Sequence, residues 1–226
     1  MSQRLVFVHG QGRDGPSAWP AQMAEFPEAV YLSRPPDESA DTVDRAAEAV
    51  RSVPPASVVV AHSFGAIAAA RATAAGDGRI VGVVLLEPAL HALARGAEAL
   101  ERQIARIDPV FDHTDASLEE FWREFIVTLT GSPFEGPITD EALRTAARFR
   151  RSGPPWRHEV TADAFVGHPT LVVTGGWNDE YEEIAARLER DGARHLVLTG
   201  HGHRPQDHPD FNRVLAEFVA GLNVPR

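Results

Sequence analysis

Five short, unbroken apolar runs set the strongest limit on how this chain can fold. They are residues 5–8 (LVFV), 57–61 (SVVVA), 80–86 (IVGVVLL), 170–174 (TLVVT) and 195–199 (HLVLT). A strand with one wet face alternates apolar and polar residues, whereas an uninterrupted run is expected to be covered on both faces. Residues 29–32 (AVYL) read as a further short strand. Helical patterns lie between the runs. Residues 41–53 place Val43, Ala46, Ala47 and Val50 at helical spacing, and Pro54-Pro55 ends the pattern. Residues 64–75 are alanine-rich and stop at Gly76, residues 180–190 read as helix, and after Pro209 one apolar face carries Phe211, Val214, Leu215, Phe218 and Leu222. Strands alternating with helices predict an α/β protein, with a mostly parallel central sheet flanked by helices.

The rhythm breaks between residues 88 and 165, which offer helical patterns and no convincing strand. Ser117-x-x-Glu120 is a capping box, and Thr139 before Asp140 and Glu141 marks another helix start. "SGPPW", 152–156, closes that segment. The expected organisation is a core made of 1–87 and 166–226, with a helical lid inserted at 88–165. Phe121, Trp122 and Phe125 are expected to bury the lid against the body.

Composition removes several function classes. The 226 residues suit one large domain, or one domain with an inserted cap. There is no cysteine, hence no disulfide and no thiolate metal site. The net charge of −10 argues against a general nucleic-acid surface. No apolar run approaches the roughly 18 residues of a membrane span, and the N-terminus lacks the apolar region of a signal peptide. A cytoplasmic location is the expectation. All 22 basic residues are arginine, so no catalytic lysine is available.

The most informative stretch is "SVVVAHSFGAIAAA", 57–70. A buried strand runs into Ala61-His62-Ser63-Phe64-Gly65 and directly on into a helix. This is the small-x-Ser-x-Gly form of a nucleophile elbow. The sharp turn lifts the serine above the sheet edge and demands small residues two positions to either side. The following helix aims its N-terminus at the site, where it favours developing negative charge. Read alone, the turn favours a nucleophile, and an ordinary helix N-cap serine is the competing reading.

Taken together, "FVHGQG", "VVVAHSFG", "VVTGGWND" and "VLTGHGHRPQDHPDF" resemble the α/β-hydrolase family over nearly the whole length. That family orders its triad serine, acid, histidine along the chain. The resemblance puts the nucleophile on Ser63, the acid on Asp179 and the base on His203, each just past a predicted strand. It also implies that the family's first two strands are missing here. His201 competes with His203, but the Gly-x-Gly-His turn selects the latter. Asp179 competes with Glu180, which suits a helix start, and more seriously with Glu87 at the end of "VVLLE". A serine hydroxyl needs such a base, and the base needs an orienting carboxylate.

Two readings compete for "FVHGQGRDGPSAW", 7–19. Gly10-x-Gly12-x-x-Gly15 fits a dinucleotide loop, and Ser33 and Arg34 in "YLSRPP" suit the 2′-phosphate of NADP. The resemblance instead implies an oxyanion hole made by the backbone N–H groups of Gln11 and Phe64, which also accounts for Ser63. Trp19 is then structural. The related pattern "HGHRPQDH" is spaced wrongly for a His-x-His-x-Asp-His metal site, so no metal is expected.

The implied activity is a cofactor-free serine hydrolase, cleaving a small-molecule carboxylic ester, lactone or thioester. Gly10, His62 and Trp156 are candidate substrate contacts, with Phe64 a further pocket wall. Arg148, Arg150, Arg151 and Arg157 either hold an anionic group or lie in solvent. C–C hydrolases, perhydrolases, hydroxynitrile lyases and slow-hydrolysing ligand receptors share these motifs, and an NADP-binding oxidoreductase is the remaining alternative. The sequence leaves oligomeric state undetermined.

Overall fold

The computed structural model describes residues 3–222 apart from 38 and 40. Six strands form one sheet: β1 (Arg4–Val8), β2 (Val30–Tyr31), β3 (Ser57–His62), β4 (Ile80–Leu86), β5 (Thr170–Thr174) and β6 (Arg194–Val197). Every neighbouring pair is parallel, and the spatial order is β2-β1-β3-β4-β5-β6. β3, β4 and β5 are buried along their full length but for one residue of β4, as unbroken apolar runs require.

The topology locates the site. The chain passes outward from β1 to β2, then returns across β1 to make β3. The strand order reverses between β1 and β3, and such a switch point opens a crevice at the carboxyl ends of the strands. Val8 pairs with Ala61 there, so the loop after β1 starts beside the turn after β3.

Successive strand residues face opposite layers. Val59, Ala61, Val83 and Leu85 meet helices α2 (Val43–Arg51), α3 (Gly65–Ala74) and α7 (Asp179–Arg190), through side chains such as Val50, Ile67 and Ile184. Phe7, Val58, Val60 and Val84 meet Trp19, Phe211 and Leu215, the last two from α8 (Phe211–Gly221). A short helix, α1 (Pro20–Glu25), follows Trp19. Each fully buried large aliphatic or aromatic side chain contributes about 1.5–3 kcal/mol, so both faces of the sheet hold substantial apolar stabilisation.

Between β4 and β5 the chain forms α4 (Glu98–Asp112), α5 (Leu118–Thr130) and α6 (Asp140–Ser152). The capping box opens α5 reciprocally: Glu120 N–H donates to Ser117 Oγ at 3.2 Å, and Ser117 N–H to Glu120 Oε2 at 2.7 Å. Thr139 caps α6 through Ala142 N–H. Phe121 and Phe125 do not pack on the sheet layers as expected. They close a separate cluster with Ile107, Val110 and Ala146. Three helices are enough to hold a core of their own, and α4 joins it to the body through Leu100 and Ile104. No helix among the described residues is long and apolar enough to cross a membrane.

Candidate active site

Ser63 stands between the end of β3 and the start of α3 with φ +53°. Left-handed backbone costs a β-carbon-bearing residue on the order of 1–2 kcal/mol, so the surroundings must hold the turn. Ser63 N–H donates to Leu86 O at 2.9 Å, and Ser63 O accepts from Ala66 and Ala89. Gly65 has no room for a side chain, since a β-carbon there would lie 2.6 Å from His9 O. Ala61 is fully buried. Ser63 remains partly exposed.

The imidazole of His203 reaches this serine from the loop beyond β6. Its Nε2 lies 3.0 Å from Ser63 Oγ. Its Nδ1 lies 3.4 Å from Oε2 of Glu87, the residue that follows β4. An ionised carboxylate only accepts, so Nδ1 carries the proton and Nε2 is free to accept from the serine hydroxyl. Glu87 is completely buried. Its carboxylate also accepts from Gly175 N–H at 2.6 Å and from the Trp177 indole N–H at 3.0 Å. Three donors offset the cost of burying that charge.

Asp179 lies elsewhere, which corrects the expectation that it orients His203. It is exposed at the first position of α7. Asn178 caps that helix by accepting from Glu180 N–H, and Trp177 turns its indole toward Glu87. The turn after β5 therefore supplies the slot beside His203 with an indole rather than a carboxylate. Asp179 faces a groove shared with Arg102 and Arg106 of α4. Glu180, expected merely to start the helix, is buried, and burial pushes its carboxyl up to about 7. The signal for Glu87 was in the sequence: an acid set flush against an all-apolar run on the strand beside that of Ser63.

Gly10 packs against the elbow, where a β-carbon would lie 3.1 Å from Ser63 Cβ. The N–H groups of Gln11 and Phe64 make no hydrogen bond among the described residues. A cleft beside them is lined by Gly10, Gln11, Leu32, Val43, Ala46, Phe64 and Ala68. Arg34 borders it, but its guanidinium donates to the backbone oxygens of Gly10, Gln11 and Arg13. Those donors are occupied, which removes the 2′-phosphate contact that a dinucleotide reading requires.

His62 does not line this cleft. Its Nε2–H donates to the carbonyl oxygen of His203 at 2.7 Å, and its ring stands against Trp19 and His203. Burial, with the His203 ring next in effect, holds its pKa well below the usual imidazole value. Trp156 is also absent from the cleft. Its indole N–H donates to Asp108 at 2.7 Å, in the seam between α4 and the core. Arg157 pairs with Asp108 and Asp112, and Arg150 donates to Ala116 O. His201 is exposed, and Asp207 is paired with Arg204.

A family model described as the alpha/beta hydrolase family matches residues 5–211. The chain belongs to that family, and a hydrolytic enzyme is the general class that fold and family define. Solved structures with the same fold include a protein from a study of epoxide hydrolases in metagenomes from hot environments. It has a TM-score of 0.66 at 16% identity, over 97% of this chain and 91% of that one. An alpha/beta hydrolase from Sphaerobacter thermophilus gives 0.63 at 18% identity, over 96% and 93%. A structure reported with carboxylesterases of the thaumarchaeon Nitrososphaera gargenis gives 0.59 at 16% identity, over 97% and 90%. A search of curated proteins found no match.

Proposed function

We propose that the protein is a serine hydrolase, cleaving a carboxylic ester, lactone or thioester through an acyl-enzyme on Ser63. The observation that carries this reading is the 3.0 Å approach of His203 Nε2 to an Oγ raised on a left-handed turn. His203 takes the hydroxyl proton as Oγ bonds to the carbonyl carbon. The carbonyl oxygen becomes an oxyanion facing the N–H groups of Gln11 and Phe64. The imidazolium returns its proton to the departing alcohol or thiol as the carbon–leaving-group bond breaks. Water then enters by the same route, losing a proton to His203, and the acid is released with Ser63 restored. Glu87 keeps the imidazole in the required tautomer and stabilises its cation.

The mostly apolar lining of the cleft beside Gln11 and Phe64 favours a small or medium apolar acyl group. The test is labelling by a fluorophosphonate probe together with turnover of p-nitrophenyl esters of increasing acyl length. Both should vanish in Ser63→Ala. Labelling without turnover across the series would point instead to a ligand receptor on this fold. Protection from heat by NADPH without labelling would favour the dinucleotide reading.

A further inference from the structure

We infer that Arg34 is a positioning residue for the oxyanion hole, acting through the peptide that joins Gly10 to Gln11. The inference rests on the serine-hydrolase reading and adds a residue outside the triad. In a trans peptide the C=O and the following N–H point in opposite directions. Fixing the carbonyl of Gly10 therefore fixes the direction of the Gln11 N–H.

The carbonyl of Gly10 is held twice. Arg34 Nη2 donates to it at 2.6 Å, and His9 Nδ1 lies 2.8 Å away. The same Nη2 reaches Gln11 O at 3.0 Å, while Nη1 reaches Arg13 O at 2.9 Å. One planar fork thus ties three carbonyls of a glycine-containing loop that has no regular structure of its own. The fork is itself anchored, since Nε lies 3.1 Å from Asp41 Oδ2 and Arg34 N–H donates to Asp14 at 2.8 Å. The side chain is 11% exposed, and both terminal nitrogens donate to the main chain. That is a costly arrangement for a surface arginine and a reasonable one for a clamp.

Two consequences follow. The loop is pre-set, so the donor need not reorganise as charge develops. A cation on the carbonyl oxygen also polarises the peptide and strengthens its N–H as a donor. Lysine cannot reproduce the planar fork, although it keeps the charge.

The experiment uses the full chain, the variants Arg34→Met and Arg34→Lys, and a matched pair of aryl esters differing only in C=O against C=S. Sulfur accepts hydrogen bonds weakly, so a thionoester draws little on the oxyanion donors. Arg34→Met should lose about 10- to 100-fold in kcat on the oxoester with KM little changed, less than the 10²–10³ typical of deleting a donor outright. The loss on the thionoester should be only a few-fold. Arg34→Lys should show the same skew at smaller size, and it decides alone if Arg34→Met does not fold. Equal losses on both esters, or no loss on either, overturn the proposal. Fluorophosphonate labelling of the unaltered protein separates the two levels. A labelled protein with equal losses sinks only the role of Arg34, whereas an unlabelled one sinks the hydrolase reading and this role with it.

Discussion

Glu87 and His203 lie 116 positions apart in the chain and meet at 3.4 Å, carboxylate to Nδ1. The sheet brings them together across β5, because β4 ends beside the elbow and the loop beyond β6 folds back over it. If Glu87 orients the base, Glu87→Gln leaves the shape intact and favours the wrong imidazole tautomer. The expected loss in kcat is about 10⁴-fold. Asp179→Asn, at an exposed helix start, should stay within about threefold of the unaltered enzyme. Ester turnover of the two variants side by side decides between the carboxylates, and a large loss in Asp179→Asn alone would reverse the assignment.

A second support for His203 comes from the elbow itself. His62 donates to the His203 carbonyl, so the residue before Ser63 holds the loop that carries His203. His62→Phe keeps the ring and removes the donor. It leaves a half-buried carbonyl unpaired, at a cost of about 1–3 kcal/mol. Turnover should fall at least about tenfold, since a 1 Å misplacement of a catalytic group can cost about 10²-fold. His62→Gln, which retains an N–H, should recover part of it. Equal turnover in both variants and the unaltered enzyme would show that the loop holds itself.

Much of this architecture was legible because burial on two faces leaves a plain trace. The runs at 80–86 and 170–174 became strands with those bounds, and Ser117 and Thr139 became helix caps. The elbow was equally visible, since only small residues fit at positions 61 and 65. The identity of the carboxylate at His203 was not. Two acids stood after two neighbouring strands, and the choice depended on which way one turn rotates its side chains. Asn178 as a cap and Trp177 as a donor to Glu87 set that rotation, and neither has a periodicity to read. The contacts of Arg34 were similarly hidden, because they run to backbone oxygens that every sequence possesses. A separate core within 88–165 was missed because the same aromatic stripe serves a cap-to-body seam or a small bundle.

The left-handed turn at Ser63 predicts a reversal of the usual alanine–glycine order. At ordinary positions Gly→Ala stabilises by about 0.4–1 kcal/mol through the unfolded chain. At φ +53° the β-carbon strains the folded state instead. Ser63→Gly should therefore be more stable than Ser63→Ala by about 1 kcal/mol, or about 2–4 °C in Tm for a chain of this size. Thermal unfolding of the two variants checks this, and a higher Tm for the alanine variant would mean that the turn carries no strain.

Burial of Glu180 makes stability depend on pH in a direction opposite to that of the buried histidines. Its folded-state pKa of about 7 exceeds the ordinary 4.5, with burial the main cause and Arg106 opposing it. Above pH 7 the folded protein carries a desolvated charge. As pH falls from 8 toward 4.5 the folded state takes up a proton that the unfolded chain does not yet bind, so this group adds stability. His91, lowered to about 4 by burial, and His62 act the other way: below 6.5 the unfolded chain binds protons that the folded state refuses. The opposing contributions partly cancel between pH 6.5 and 4.5. Glu180→Gln removes one side of that balance. Relative to the unaltered protein, the variant should lose about 3 kcal/mol of stability between pH 8 and pH 4.5, as one proton coupled over about 2.5 pH units implies. Urea midpoints for both proteins across this range test the prediction, and parallel curves would mean that Glu180 titrates as an exposed carboxylate does.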